Sequence, residues 1–201
     1  AAFEKTFYYL SDEEKDFLDL FLERHGIASE EQVVAIAPGG GESSKRRMFT
    51  KRWPVQNYIE LIQRLQRERS SRVILVGGPG DREVTNSVIQ VCLNCIDATD
   101  LSFGEMASIF RRCNLFLGND SAPLHIAASM GIHCIGIFGP TDPQQWAPLN
   151  QNSSFVVKPV ECHPCLIDER FPKCSHIRCL TSITVGDVWQ QLESTKPYVK
   201  I

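Results

Sequence analysis

The sequence predicts an open parallel α/β sheet with helices on both faces, and three observations carry that prediction. Short apolar runs near residues 33, 73, 96, 115 and 135 alternate with helical patterns, the signature of successive βαβ units. Those runs hold few polar residues, as strands covered on both faces do. Turns rich in Gly, Asn or Asp at 38–41, 77–80 and 118–121 each follow a run directly, so they fall at strand carboxyl ends and converge on one edge.

Taken in order, residues 1–10 read as an extended lead-in. Ser11-Asp12-Glu13-Glu14 is a capping box, a hydroxyl followed three positions later by an acid. Phe17, Leu18, Phe21 and Leu22 give the helix behind it an apolar stripe to about His25, and Gly26 ends it. Val33 to Ala37 is the first strand. Pro38-Gly39-Gly40-Gly41 follows it, a bare backbone that an anion can approach closely. The dinucleotide fingerprint fails there, because Ser44 stands where its third glycine belongs. A plain turn is the competing reading.

Lys45 to Arg52 holds five basic residues in eight positions. A solvated basic face is the ordinary explanation. Its place beyond the first strand's carboxyl end favours phosphate instead, which a lysine neutralises as a point charge. Trp53 reads as a packing anchor. Pro54 starts a helix with Val55, Tyr58, Ile59, Ile62 and Leu65 on one face. Arg72 to Val76 is the second strand. After Gly77-Gly78-Pro79-Gly80, Asp81 opens a helix whose apolar positions are Val84, Val88, Val91 and Cys95. Glu83 in its first turn either complements the helix dipole or bonds ribose hydroxyls. Cys95 to Ala98 reads as a short third strand, and Ser102 with Glu105 is a second capping box before Met106, Ile109, Phe110 and Cys113.

Asn114 to Pro143 is the stretch around which the rest is arranged. Asn114 to Leu117 is a strand, Gly118 to Ser121 a turn, Leu124 to Met130 a helix, and Ile132 to Phe138 another strand. Asp120 or Ser121 is placed to cap that helix, with Pro123 in its first turn. The helix is apolar or small almost all round, so its N-terminus is rigidly placed at the carboxyl edge. Such a terminus suits an anion, phosphate above all. His125 lies one turn from it, either a satisfied core histidine or a ligand contact. Ser154 to Val157 reads as a sixth strand. Thr184 to Ser194 reads as a last helix with Val185, Val188 and Leu192 inward, ended by Pro197.

Composition excludes several classes. The chain has 201 residues, enough for one α/β domain or two small ones. A hydrophobic share of 43% with 22% charged is ordinary for a globular protein. The net charge of −3 exerts no bulk pull on nucleic acid or an acidic membrane. No apolar run approaches the roughly 20 residues that span a bilayer. AAFEKTFYYL lacks both a signal-peptide core and an initiator Met, so a fragment or a processed form is expected.

The stretches APGGG, KRWP, VILVGGPGDRE, LFLGNDSAPLHIAASMGI and IGIFGPTDPQQWAP, in that order, resemble the glycosyltransferase family 9 heptosyltransferases. The similarity covers about residues 30–180. It implies the C-terminal half of a GT-B glycosyltransferase. Residues 1–30 would be linker and lead-in helix, and residues 31–201 the Rossmann-like domain that binds the nucleotide sugar. An N-terminal domain that binds the acceptor and supplies the general base would be absent. The implied donor is ADP-heptose or a related nucleotide sugar, with no cofactor and no metal. The implied acceptor is lipopolysaccharide core, and the implied location the cytoplasm, with peripheral contact to the inner membrane in the intact enzyme.

Carried over position by position, the resemblance gives Lys51 to the diphosphate, where it stabilises the leaving group. Asp120, Ser121 and Ala122 would present side chains and N–H groups to diphosphate and sugar, with His125 adding a hydrogen bond. Glu83 would hold ribose, and Gly39 and Gly40 would approach phosphate. Here several relatives carry Ser or Thr, a departure. The reaction implied is metal-independent, inverting transfer by direct displacement. Rival readings are a non-catalytic nucleotide-binding module, an NAD-dependent dehydrogenase, which the failed fingerprint opposes, and a zinc-ribbon interaction protein.

That last rival rests on Cys162-x2-Cys165-x8-Cys174-x4-Cys179. The first pair has zinc-ligand spacing and the second is looser, so structural zinc, free thiols and a local disulfide all stay open. Cys92, Cys95, Cys113 and Cys134 lie in or beside apolar runs and read as buried thiols. If the N-terminal domain is absent, residues 184–201 and the loop near Trp146 are expected to expose apolar surface or pair with another copy.

Overall fold

The computed structural model describes residues 6–43, 46–165 and 174–195, with backbone alone at 42, 43, 46 and 47. In chain order the elements are α1 (Asp12–His25), β1 (Val33–Ala37), β2 (Glu42–Ser43), β3 (Arg46–Arg47), α2 (Val55–Arg69), β4 (Arg72–Gly77), α3 (Arg82–Ile89) and β5 (Cys95–Thr99). They continue with α4 (Phe103–Arg112), β6 (Leu115–Asn119), α5 (Ala122–Ser129), β7 (His133–Phe138), α6 (Pro143–Trp146), β8 (Ser153–Val157), α7 (Arg178–Thr181) and α8 (Val185–Ser194).

Six strands form one parallel sheet in the order β5-β4-β1-β6-β7-β8. The chain winds outward from β1 in one direction, then returns to β6 on the other side. That reversal leaves a crevice between the carboxyl ends of β1 and β6, where open α/β sheets bind ligands. Period-two alternation divides the core. Val34 and Ile36 of β1 pack under α2, α3 and α8, while Val33, Ala35 and Ala37 pack under α1, α4 and α5. Both faces of the strand are therefore apolar, and all five of its residues are buried.

The capping boxes form as expected at Ser11–Glu14 and Ser102–Glu105, and a third that was not singled out forms at Thr184–Asp187, each closing two orphan N–H groups. Gly26 ends α1 with φ 58°. The lead-in helix packs into the domain, with Phe21 and Ile27 buried in the layer under α4. Trp53 is an anchor: it is buried, and its indole N–H donates to the Ile183 carbonyl at 2.9 Å.

Three expectations need correction. α3 stops at Ile89, so Val91 and Cys95 are not on it; Val91 is 52% exposed and Cys95 opens β5. Apolar residues spaced three and four apart ran across the turn at Asn94, which has φ 65°, and imitated a longer helix. Residues 184–195 expose no broad apolar face, because Val185, Val188, Trp189 and Leu192 of α8 are buried against α2 and the sheet. Trp146 and Leu149 are exposed as expected of that loop, and residues 196–201, with Pro197, lie outside the described residues. Finally, neither Asp120 nor Ser121 caps α5. Ser121 stands at the N-cap position with its hydroxyl turned back to the Asn119 carbonyl at 3.3 Å.

Candidate functional site

The three turns predicted to converge do so. Gly40 and Gly41 after β1, Gly78 to Asp81 after β4 and Asp120 to Pro123 after β6 line one cleft of about 750 Å³, within the range that small-molecule sites occupy. Leu101, Phe103 and Met106 form an apolar wall at one side, and Lys51 stands at the other.

Lys51 and Asp120 are brought together by the fold. The Lys51 ammonium lies 2.5 Å from Asp120 Oδ2, and both side chains are largely buried. The Thr141 hydroxyl donates to the same oxygen at 2.7 Å. Among the described residues no group bonds the other carboxylate oxygen, Oδ1. The backbone N–H groups opening α5 receive no side-chain cap either. An ammonium, a fixed carboxylate and the positive end of a helix thus share one wall.

Two residues that sequence reasoning did not single out hold this wall in place. Asn119, read there as turn chemistry, is the buried last residue of β6 and spans the crevice. Its amide nitrogen donates to the carbonyls of Pro38 and Gly39 at 3.1 and 2.8 Å. Its oxygen accepts from Trp53 N–H at 2.9 Å and from the Tyr58 hydroxyl at 3.0 Å. Asp81, read there as a helix start, accepts from the N–H groups of Gly40 and Gly78 at 2.8 and 3.0 Å. It also accepts from the Arg52 guanidinium at 2.8 Å, and Arg52 Nε donates to the Gly40 carbonyl at 2.8 Å. One carboxylate therefore ties the first two glycine turns together. The signal available in sequence was an Asn or Asp at, or a few residues beyond, a strand's carboxyl end, which ordinary turns share.

The other expected site residues fall in different places. Gly40 and Ala122 line the cleft. Gly39 lies beneath it, packed so closely on Asp81 that a Cβ would sit 2.2 Å from its carboxyl carbon. Glu83 is exposed on the first turn of α3 and is not among the residues lining the cleft. His125 faces a second cavity, of about 560 Å³, with Gln144, Gln145 and Trp146. Crowding by its neighbours holds the His125 imidazole below its usual pKa; Asp120 opposes this and the Lys51 charge adds to it, although the residue as a whole is exposed. Of the basic run, Arg52 and Lys51 are both ion-paired. Lys45 lies outside the described residues.

Cys162, Cys165, Cys174 and Cys179 line one small cavity beside Pro140 and His176, and all four are free thiols. Burial, then the neighbouring thiols, push Cys165 up to about 11. Among the described residues no three His, Cys, Asp or Glu side chains are arranged to hold a metal ion. Of the four scattered cysteines, Cys92, Cys113 and Cys134 are buried and Cys95 is partly so.

Fold and cleft together define a Rossmann-like α/β domain with its candidate site at the carboxyl edge of the sheet. The family model described as glycosyltransferase family 9 (heptosyltransferase) matches residues 6–175, and the chain belongs to that family. It is 25% identical over 171 residues to lipooligosaccharide heptosyltransferase 2 of Campylobacter jejuni, covering 81% of this chain and 51% of that protein. It is 32% identical over 111 residues to an Escherichia coli lipopolysaccharide heptosyltransferase 3, covering 53% and 32%. Among solved structures, a family 9 glycosyltransferase from Veillonella parvula superposes with a TM-score of 0.77 at 22% identity, covering 94% of this chain and 53% of that one. The E. coli ADP-heptose lipopolysaccharide heptosyltransferase II superposes at 0.71 and 21%, with the same coverage. The chain spans about half the length of the curated relatives it matches.

Proposed function

We propose that this chain is the donor-binding half of an inverting glycosyltransferase of lipopolysaccharide core biosynthesis, and that the cleft takes a nucleoside diphosphate sugar of the ADP-heptose class. The supporting observation is the shared wall: Lys51 beside the uncapped N-terminus of α5, at the switch point of the sheet. The apolar wall of Leu101, Phe103 and Met106 suits a nucleobase. The diphosphate lies against Lys51 and the N–H groups at Ser121 and Ala122. Asp120 Oδ1 accepts from a sugar hydroxyl, and His125 bonds the sugar-phosphate end. Glu83 holds ribose. Gly39 and Gly40 shape the floor, Gly39 through its contact with Asp81.

In the reaction an acceptor hydroxyl displaces the diphosphate from the anomeric carbon with inversion. A general base, from a second domain that binds the acceptor, takes the proton. Negative charge grows on the departing diphosphate, and a preorganised ammonium and helix terminus meet it there. That work needs no divalent cation. The cytoplasm, with peripheral contact at the inner membrane, is the proposed location; no helix among the described residues is long and apolar enough to cross a membrane.

Calorimetric titration with ADP tests this reading. Saturable binding is expected, unchanged by EDTA. Lys51→Ala should weaken it by about tenfold to a hundredfold, the range for losing a hydrogen bond to a charged group. Glu83→Ala should weaken ADP while leaving inorganic pyrophosphate unaffected. Absence of heat with the wild-type chain would refute the proposal.

A further inference from the structure

We infer that Thr141 is a positioning residue for the Lys51–Asp120 pair, acting from the turn after β7 and touching no substrate itself. The inference rests on the donor-site reading for its functional consequence, and on geometry alone for its physical content.

Thr141 is 1% exposed, and its hydroxyl donates to Asp120 Oδ2 at 2.7 Å, the same oxygen that Lys51 approaches at 2.5 Å. One carboxylate oxygen thus serves two donors. A carboxylate held by its lysine alone turns about its last torsion, which is broad and poorly restrained. A second donor from a fixed direction removes that freedom. Oδ1 then stays aimed away from the pair, and the ammonium keeps one place in the cleft wall.

The turn that carries Thr141 is built to be such a fixed point. Gly139 packs so tightly on Leu180 that a Cβ would lie 2.5 Å from its Cγ. The Cys165 N–H donates to the Pro140 carbonyl at 2.8 Å, and His163 Nε2 lies 3.2 Å from the Thr141 carbonyl, in donor geometry for its protonated tautomer. Asp142 accepts from the Gln144 N–H at 2.9 Å and starts α6. Asp120 itself is anchored by its N–H to the Ile137 carbonyl at 3.2 Å. His163 and Cys165 therefore brace the Thr141 turn, and neither lines the cleft.

A purely structural threonine would affect folding and nothing more at Lys51. The test therefore reads Lys51 directly. Reductive methylation of the whole chain is followed by mass spectrometry, with Lys158 as internal reference. In Thr141→Val, Lys51 should label about tenfold faster relative to Lys158, the factor for losing one hydrogen bond to a charged group. ADP should bind about tenfold more weakly. Thr141→Ser, which keeps the hydroxyl, should restore both. An unchanged or slower Lys51 rate in a folded Thr141→Val would overturn the inference.

Should Thr141→Val fail to fold, Lys51→Ala still decides. Its Asp120 carboxyl carbon, left with the Thr141 hydroxyl as donor, should show a deuterium isotope shift in D2O, and absence of that shift would overturn the inference equally. If ADP fails to bind wild type while Lys51 responds as expected, the donor-site reading falls and the positioning role stands.

Discussion

Asp81 shows how one side chain can hold a site without entering its chemistry. Two glycine turns and the Arg52 guanidinium converge on its carboxylate. Both partners of the ion pair are mostly buried. Replacing Asp81 by Ala strands a guanidinium and two N–H groups, so unfolding free energy should fall by about 3 kcal/mol, as for other broken buried pairs. Urea denaturation of Asp81→Ala against wild type measures this. A change under about 1 kcal/mol would mean that water replaces the carboxylate at little cost. Gly39 belongs to the same arrangement, since any side chain there meets Asp81.

At the scale of elements, the start of α8 carries a titrating carboxylate. Burial pushes Asp187 upward, but the Lys158 hydrogen bond, the Thr184 bonds and the Lys158 charge outweigh it, so its pKa lies below the usual carboxylate value. A group lowered in the folded state contributes stability above its unfolded pKa, about 3.9, and loses it as pH falls through the folded value. The urea midpoint should therefore fall as pH drops from about 5 towards 3, and Asp187→Asn should flatten that slope. Thr184→Ala removes the N-cap oxygen and should cost about 1 kcal/mol at pH 7. Equal acid slopes in wild type and Asp187→Asn would show that other carboxylates carry the transition.

For the whole molecule, the sheet edge couples binding to stability. The cleft wall is assembled from the ends of β1, β4 and β6, which come together only in the folded chain. A ligand that binds there stabilises the native state by about 2.7 kcal/mol at a concentration a hundred times its Kd. In a domain of this size each kcal/mol shifts Tm by about 2–4 °C, so saturating ADP should raise Tm by roughly 5–10 °C. Scanning calorimetry with and without ADP reads the shift. The Lys51→Ala chain at the same ADP concentration should show a smaller one.

Periodicity, capping and turn chemistry determined the strands, most helix starts and the edge on which the turns meet. Those features are written over a few adjacent residues, and local sterics and backbone hydrogen bonding decide them. Asp120 and Ser121 were legible as candidate site residues for the same reason, since they stand in a phosphate-suited turn between a strand end and a helix start, whereas Lys51 was singled out from its basic run only by the family resemblance. Tertiary structure alone decided who bonds whom across the sheet. Lys51 meets Asp120, Thr141 meets the same carboxylate, Asp81 reaches back to Gly40, and Asn119 bridges to Pro38. Each of those partners is remote in the chain, and a side chain's choice among distant donors depends on strand order and packing, which no local pattern records.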